Sequence, residues 1–143
     1  NIGWLPGTLT LFGDMAKGYI AAIVGAISPS PVMPFLTPAF AIAGHNWPVW
    51  LRFQGGGGLA TFVGGCLAVS NWWTALMGLG LWGASYLLIR DHDRSAVLAC
   101  LLMPFVAFLT DMPWQTITFM ASSSFMILLR RLQSIRDRVR NLV

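Results

Sequence analysis

The sequence predicts an all-α polytopic membrane bundle of about six transmembrane helices, and three observations carry that reading. Apolar residues make up 56% of the 143-residue chain, and charged residues only 10%, against about 25% in soluble globular proteins. No glutamate is present. The apolar residues are gathered into stretches of helical length, separated by prolines, glycines, charges and tryptophans. With a mean hydropathy of +0.67, such a chain cannot furnish a water-soluble surface. Its formal net charge of +4 is too small and too scattered for a nucleic-acid footprint, so no nucleic-acid partner is expected. The basic residues are expected to orient the chain in a bilayer.

A hydrocarbon core about 30 Å thick asks for about 20 apolar helical residues. The first segment runs from Thr8 to Ile27 and ends at Ser28-Pro29-Ser30-Pro31, where two prolines stop a helix. The second, Val32 to Trp47, carries Pro34 and Pro38; a bilayer tolerates such kinks when neighbouring helices satisfy the freed carbonyls. The third, Gly58 to Val69, is short, contains Gly64-Gly65, and gives way to Ser70-Asn71 and the pair Trp72-Trp73, an aromatic interface signal. It is expected to be tilted or partly re-entrant. Thr74 to Ile89, Ser95 to Thr110 and Trp114 to Leu129 complete the set. Gly80 and Ala84, four residues apart, suggest a close helix contact, and Trp82 reads as packing bulk within its span. Cys66 and Cys100 lie in apolar runs without a Cys-x-x-Cys spacing and read as small buried hydrophobes.

Charge placement then yields a topology. If all six segments span, one side holds the N-terminus, Arg52, the run Arg90-Asp91-His92-Asp93-Arg94, and a tail with Arg130, Arg131, Arg136, Arg138 and Arg140. The opposite connections, 28–31, 70–73 and 111–113, carry no Lys or Arg. The positive-inside rule assigns the basic side to the cytoplasm, and Lys17, in the first half of span one, can snorkel to that side. The expected organisation is a membrane bundle over residues 1–129 and a basic cytoplasmic tail over 130–143 lying against anionic headgroups. The expected location is the inner (cytoplasmic) membrane with both ends cytoplasmic, in contact with membrane lipids.

Chemistry concentrates in two places. Four consecutive glycines, Gly55, Gly56, Gly57 and Gly58, offer backbone freedom and adjacent N–H groups, the raw material of an anion nest at a helix start. Arg52 is the nearby cation for a forked phosphate contact, and His45 a donor or base. A flexible turn behind a helix-terminating histidine satisfies the same residues. Asp14 and Lys17, three apart, share one helix face. Ionisable groups at that depth face each other, a bundle interior or a wet cavity, so the two form an ion pair or line a polar cleft. Asp91, His92 and Asp93 are too crowded along the chain to surround one metal. No nucleophile elbow, haem motif or Walker loop is present, and no cofactor is expected.

These residues also carry a resemblance. The chain resembles the bacterial acyl-phosphate:glycerol-3-phosphate acyltransferases, small multi-spanning enzymes of phospholipid synthesis, over nearly its whole length. The family motif G-H-x-x-P-x-x-L-x-F-x-G-G-K-G-x-A-T is matched by Gly44, His45, Pro48, Leu51, Phe53, Gly55, Gly56, Gly58, Ala60 and Thr61; D-x-x-K-G is matched by Asp14, Lys17 and Gly18, and part of S-G-N-I-G by Asn1-Ile2-Gly3. The resemblance implies seven spans, the first of them preceding this chain. It also exposes departures: Gly57 stands at the motif's lysine, and Arg131-Leu132-Gln133-Ser134-Ile135 stand at the family's H-R-x-N-I.

Two functions follow as expectations. One is a catalytically degenerate relative, kept as a structural or lipid-binding subunit of a larger membrane complex, respiratory or photosynthetic, with other membrane subunits as partners. The other is an active acyltransferase moving an acyl group from acyl phosphate to glycerol 3-phosphate to give lysophosphatidate. In the active reading Asp14, Lys17 and His45 are catalytic, while Arg52, Gly55, Gly56, Gly57, Gly58 and Arg131 bind phosphate, with Arg131 a substitute cation.

Overall fold

The computed structural model describes residues 4–69 and 72–140. Asn1-Ile2-Gly3, Ser70-Asn71 and the last three residues of the basic segment lie outside the described residues. Among the described residues the chain is all-helical: α1 Trp4–Ala26, α2 Met33–Asn46, a 3-10 turn Val49–Leu51, α3 Leu59–Val69, α4 Trp72–Ile89, α5 His92–Leu109 and α6 Trp114–Arg140.

Each expected span contains one helix, and the boundaries differ for identifiable reasons. α1 begins before Thr8 because Pro6 falls in its first turn, where a missing N–H is harmless. Pro34 occupies the first turn of α2 in the same way, while Pro38 sits inside that helix. α5 begins at His92 because the Asp91 carboxylate accepts the Arg94 backbone N–H at 2.9 Å, the bond an N-cap makes. The run Arg90 to Arg94, expected as a loop, is therefore a cap and a first helical turn. Arg90 reverses the chain in the left-handed region (φ 57°), as Asp111 does after α5 (φ 50°).

α1, α4 and α5 are long and apolar enough to cross a membrane. At 1.5 Å per residue, α2 is about 21 Å long and α3 about 16 Å, short of a hydrocarbon core of about 30 Å. α6 passes the Leu129/Arg130 boundary without a break and runs on to Arg140. The segment expected as a separate tail is thus, through Arg140, the last turns of a packed helix.

Burial is inverted relative to a soluble protein. Leu9, Phe12, Ile20, Val24, Leu87, Leu88, Leu101 and Phe108 are exposed, while α1 buries Gly18, Ala22 and Gly25. In lipid, apolar surface gives helices no reason to associate, so close backbone packing through small residues does the work. A Cβ at Gly18 would overlap the Thr61 carbonyl oxygen of α3, and one at Gly64 would overlap the Met15 carbonyl oxygen of α1. The α1–α3 crossing is therefore backbone against backbone. Behind it, Phe62 and Phe119 stack with centroids 5.5 Å apart, surrounded by Ile42, Met103, Met120 and the two free, buried cysteines. Trp82 stacks on Tyr86 and meets the His92 ring edge-on, as packing bulk would. Gly80 is different from expectation: no atom lies within 4 Å of a Cβ built there, and Ala84 is exposed, so that pair makes no close contact within the chain.

Gly64→Ala removes a helix-weakening glycine, a gain of about 1 kcal/mol by propensity, yet is expected to destabilise the fold by about 1–3 kcal/mol through overpacking. Gly13→Ala, in open space, is the matched control and is expected to be neutral or stabilising. Thermal unfolding in detergent checks both; equal effects would contradict the α1–α3 crossing.

Candidate functional site

The site is built where the C-terminus of α2, the loop 47–58, the start of α3 and α6 from Met126 onward meet. A helix end leaves carbonyls unsatisfied, and here the loop folds back to satisfy two of them. Gly55 N–H donates to the Asn46 carbonyl at 3.1 Å and Gly56 N–H to the His45 carbonyl at 3.3 Å. The expected nest of four adjacent N–H groups is thereby halved. Gly57, Gly58 and the first turn of α3 are left to supply N–H groups to an anion.

Each of the four glycines stands where another group needs its volume. A Cβ at Gly55 would strike the His45 carbonyl and the Pro48 ring, one at Gly56 the His45 imidazole, and one at Gly57 the Arg131 guanidinium. Gly58 has φ 79° and lies against Ile42 and the Asn46 amide. The run serves less as a flexible linker than as a surface stripped of side chains, onto which a histidine from α2 and an arginine from α6 are laid.

α6 holds that surface in place. Arg130 donates to the Gly55 carbonyl at 2.7 Å and the Gly56 carbonyl at 3.2 Å. The Trp47 indole N–H donates to Gln133 Oε1 at 2.8 Å, and the buried Asn46 amide to the Met126 carbonyl at 3.2 Å.

A cleft of about 850 Å³ opens over the glycines. Asp14, Lys17, His45, Gly55 to Gly58, His92 and Arg131 line it, together with an apolar wall that includes Leu11, Trp47, Val49 and Leu59. The Asp14 carboxylate sits between Lys17 Nζ at 2.8 Å and His45 Nδ1 at 3.2 Å. The ion pair and the cleft, open alternatives in the sequence, are therefore both present, with His45 as a third member. Lys17 stays 59% exposed at its side chain and Asp14 only 13%, so the ammonium remains available while the carboxylate is committed.

Arg131 is 12% exposed. Its Nη1 donates to Asp93 Oδ1 at 2.7 Å and lies 3.2 Å from His92 Nδ1; its Nε is buried without a partner. Asp93, 6% exposed, also accepts from Ser134 Oγ at 2.9 Å and from Arg138. Arg138 reaches Asp91 Oδ2 as well, at 2.9 Å. The Arg94 amide, helped by Arg138, holds the Asp91 carboxyl below the ordinary carboxylate range.

Of the residues expected at a site, Asp14, Lys17, His45, the four glycines and Arg131 come together. Arg52 does not join them. It lies in the excursion closed by the Asn46–Gly55 bond, caps the 3-10 turn in the left-handed region (φ 51°), is exposed, and does not line the cleft. The sequence reading missed Asp93, Arg130, Ser134 and Arg138, taking them for a solvated turn and a headgroup-binding tail. A signal was present: Arg131, Ser134 and Arg138 fall at i, i+3 and i+7, one face of a helix.

A lipid-facing helical bundle with a cationic, glycine-lined cleft at one end defines a multi-spanning membrane protein. The chain belongs to the glycerol-3-phosphate acyltransferase family, whose sequence profile matches residues 1–141. It is 33% identical over 122 residues to glycerol-3-phosphate acyltransferase 2 of Moorella thermoacetica, covering 83% of this chain and 61% of the relative. It is 35% identical over 130 residues to the glycerol-3-phosphate acyltransferase of Hahella chejuensis, covering 90% and 66%. The chain thus spans about three-fifths to two-thirds of the length of these curated relatives. The crystal structure of PlsY, an integral membrane glycerol 3-phosphate acyltransferase, in its glycerol 3-phosphate form superposes with a TM-score of 0.75 at 25% identity, covering 98% of this chain and 70% of that one. Its lysophosphatidic acid form gives 0.74 at 26% identity, covering 94% and 69%.

Arg130→Ala is expected to loosen the glycine loop. Charge-assisted hydrogen bonds contribute about 1.5–3 kcal/mol, reduced here by exposure, so amide exchange at Gly55 and Gly56 should accelerate about tenfold. Exchange in α4 should not change. Hydrogen-exchange mass spectrometry in detergent makes the comparison, and equal protection in variant and wild type would show that Arg130 does not hold the loop.

Proposed function

We propose that the protein is an active acyltransferase that moves an acyl group from an acyl phosphate to the 1-hydroxyl of glycerol 3-phosphate. The observation that carries this reading is the convergence of Asp14, Lys17, His45 and Arg131, from three separate helices, on one cleft over the glycine run. Two phosphates must be held in register there while a hydroxyl is activated. Asp14 bonds one ring nitrogen of His45 and leaves the other, Nε2, at the Gly56 surface. His45 then takes the proton of the attacking hydroxyl, the new C–O bond forms at the acyl carbon, and the C–O bond to phosphate breaks. The proton returns to the departing inorganic phosphate. Lys17, Arg131 and the N–H groups at the start of α3 offset the phosphate charges, and the apolar wall accepts the acyl chain from the lipid side. No cofactor enters the balance.

The positive-inside rule supports a cytoplasmic cleft, since Arg52, Arg90, Arg94 and the arginines of α6 share its end of the bundle. An inner-membrane location with both ends cytoplasmic belongs to the same proposal, as does contact with membrane lipids. The alternative, a degenerate subunit of a larger membrane complex, draws its support from the substitutions at Gly57 and Arg131. Those two weigh against it when taken together, because the volume left empty at one is filled by the cation of the other.

Acyl transfer from an acyl phosphate to radiolabelled glycerol 3-phosphate by the purified chain is the test. Turnover is expected, with His45→Ala reducing it about 10²- to 10⁴-fold, the usual contribution of general acid–base catalysis, and with Arg52→Ala near wild type. Absence of turnover from folded protein would overturn the proposal.

A further inference from the structure

We infer that Asp93 is a positioning residue: it fixes Arg131 by one edge of the guanidinium so that the opposite edge is offered, over Gly57, to a phosphate. The inference rests on the phosphate-cleft reading above but concerns binding rather than turnover.

A guanidinium has two donor edges, Nη1 with Nη2 and Nε with Nη2, each able to grip an anion in a forked manner. In Arg131, Nη1 is engaged by Asp93 Oδ1 at 2.7 Å and faces His92 Nδ1 at 3.2 Å. Nε is buried and has no partner, and Nη2 occupies the space a side chain at position 57 would take. A buried donor left unmade costs about 1–3 kcal/mol, and the residue lines the cleft. One edge is therefore anchored, and the other leaves the buried Nε without an acceptor beside a cleft that the residue lines. A tetrahedral phosphate with two oxygens toward Nε and Nη2 fits that demand, with the N–H groups of Gly57 and Gly58 close by.

Asp93 is suited to the anchoring role because it is itself over-determined. Ser134 and Arg138 occupy its second oxygen, so the carboxylate cannot swing to follow Arg131. Without Asp93, Arg131 keeps its charge but loses its fixed place, and a flexible arginine gives up rotamer entropy on each binding event.

Charge alone makes the opposite forecast, which renders the idea testable. Asp93→Asn deletes a negative charge beside the site, so simple electrostatics expects phosphate to bind more tightly. Positioning expects weaker binding, by about ten- to a hundredfold for a misplaced charge-assisted contact. The measurement is calorimetric titration of the purified full chain in detergent with inorganic phosphate and, separately, glycerol 3-phosphate. Arg131→Ala should weaken both at least as much. The double variant Asp93→Asn/Arg131→Ala should match Arg131→Ala alone, since Asp93 acts only through Arg131. Arg136→Ala, on the exposed part of α6, should bind as wild type.

Gly57→Ala approaches from the other side. It leaves Asp93 untouched, displaces the guanidinium, and should reproduce the loss even if Asp93→Asn fails to fold. Unchanged or tighter phosphate binding in Asp93→Asn, an additional loss in the double variant, or wild-type binding in Gly57→Ala would each overturn the inference. Phosphate binding that depends on Arg131 in a protein without turnover would sink the acyltransfer proposal alone; turnover with phosphate binding indifferent to Asp93 would sink this inference alone.

Discussion

Everything distinctive about the site depends on four absent side chains. Residues 55–58 form a stretch of bare backbone, and the groups laid on it come from elements far apart in the chain: His45 from the end of α2, Arg131 from α6, and the Asn46 amide beneath Gly58. A side chain at any of the four would have to displace one of them. The same device recurs where α1 crosses α3, at Gly18 and Gly64, and there it sets the depth at which Asp14 and Lys17 meet His45. Glycine is costly in a helix, about 1 kcal/mol relative to alanine. Its use at these crossings exchanges local stability for close approach, a main source of helix association in lipid alongside interhelical hydrogen bonds.

Charge obeys a matching economy. Taking ions out of water costs several kcal/mol each, so buried charges persist only when paired and hydrogen-bonded. Asp14 has Lys17 and His45; Asp93 has Arg131, Ser134 and Arg138. The two carboxylates play different parts. Asp14 orients a titratable ring at the edge of the cleft, whereas Asp93 sits behind an arginine and fixes its direction. Of the other α6 cations, Arg130 turns to the Gly55 and Gly56 carbonyls and Arg138 bridges Asp91 and Asp93. Outside this polar end the bundle presents large apolar side chains all round, as a surface solvated by lipid must.

Hydropathy and proline made the helices legible in the sequence. Pro29 and Pro31 separate α1 from α2, Pro113 precedes α6, and the composition left a membrane as the only solvent for the rest. The glycine motif and the Asp14–Lys17 pair were legible because polar residues in apolar surroundings need a reason. Helix register through a polar segment is less visible: hydropathy falls at Arg130 although the helix does not end, so the sequence suggests a tail where Arg131, Ser134 and Arg138 share one helix face. Arg52 is close in sequence to the glycines, but beyond the fold-back at Asn46 and Gly55 it is exposed and does not line the cleft. Asp93 was hidden by its neighbours, since five consecutive polar residues read as a turn until the Asp91 cap turns three of them into helix. The sequence already offers Arg131 as a substitute for the cation missing at Gly57, but not its position against that glycine. Only three-dimensional adjacency makes them complementary.

The central claim is that one anion site lies between the glycine surface and Arg131, and a structure of the protein with glycerol 3-phosphate bound in detergent or lipid mesophase tests it most directly. The phosphate is expected within hydrogen-bonding distance of Arg131 Nε and Nη2 and of the N–H groups at Gly57 and Gly58, with the glycerol hydroxyls toward His45. Phosphate bound at Arg52, or anywhere without a contact to Arg131, would contradict it.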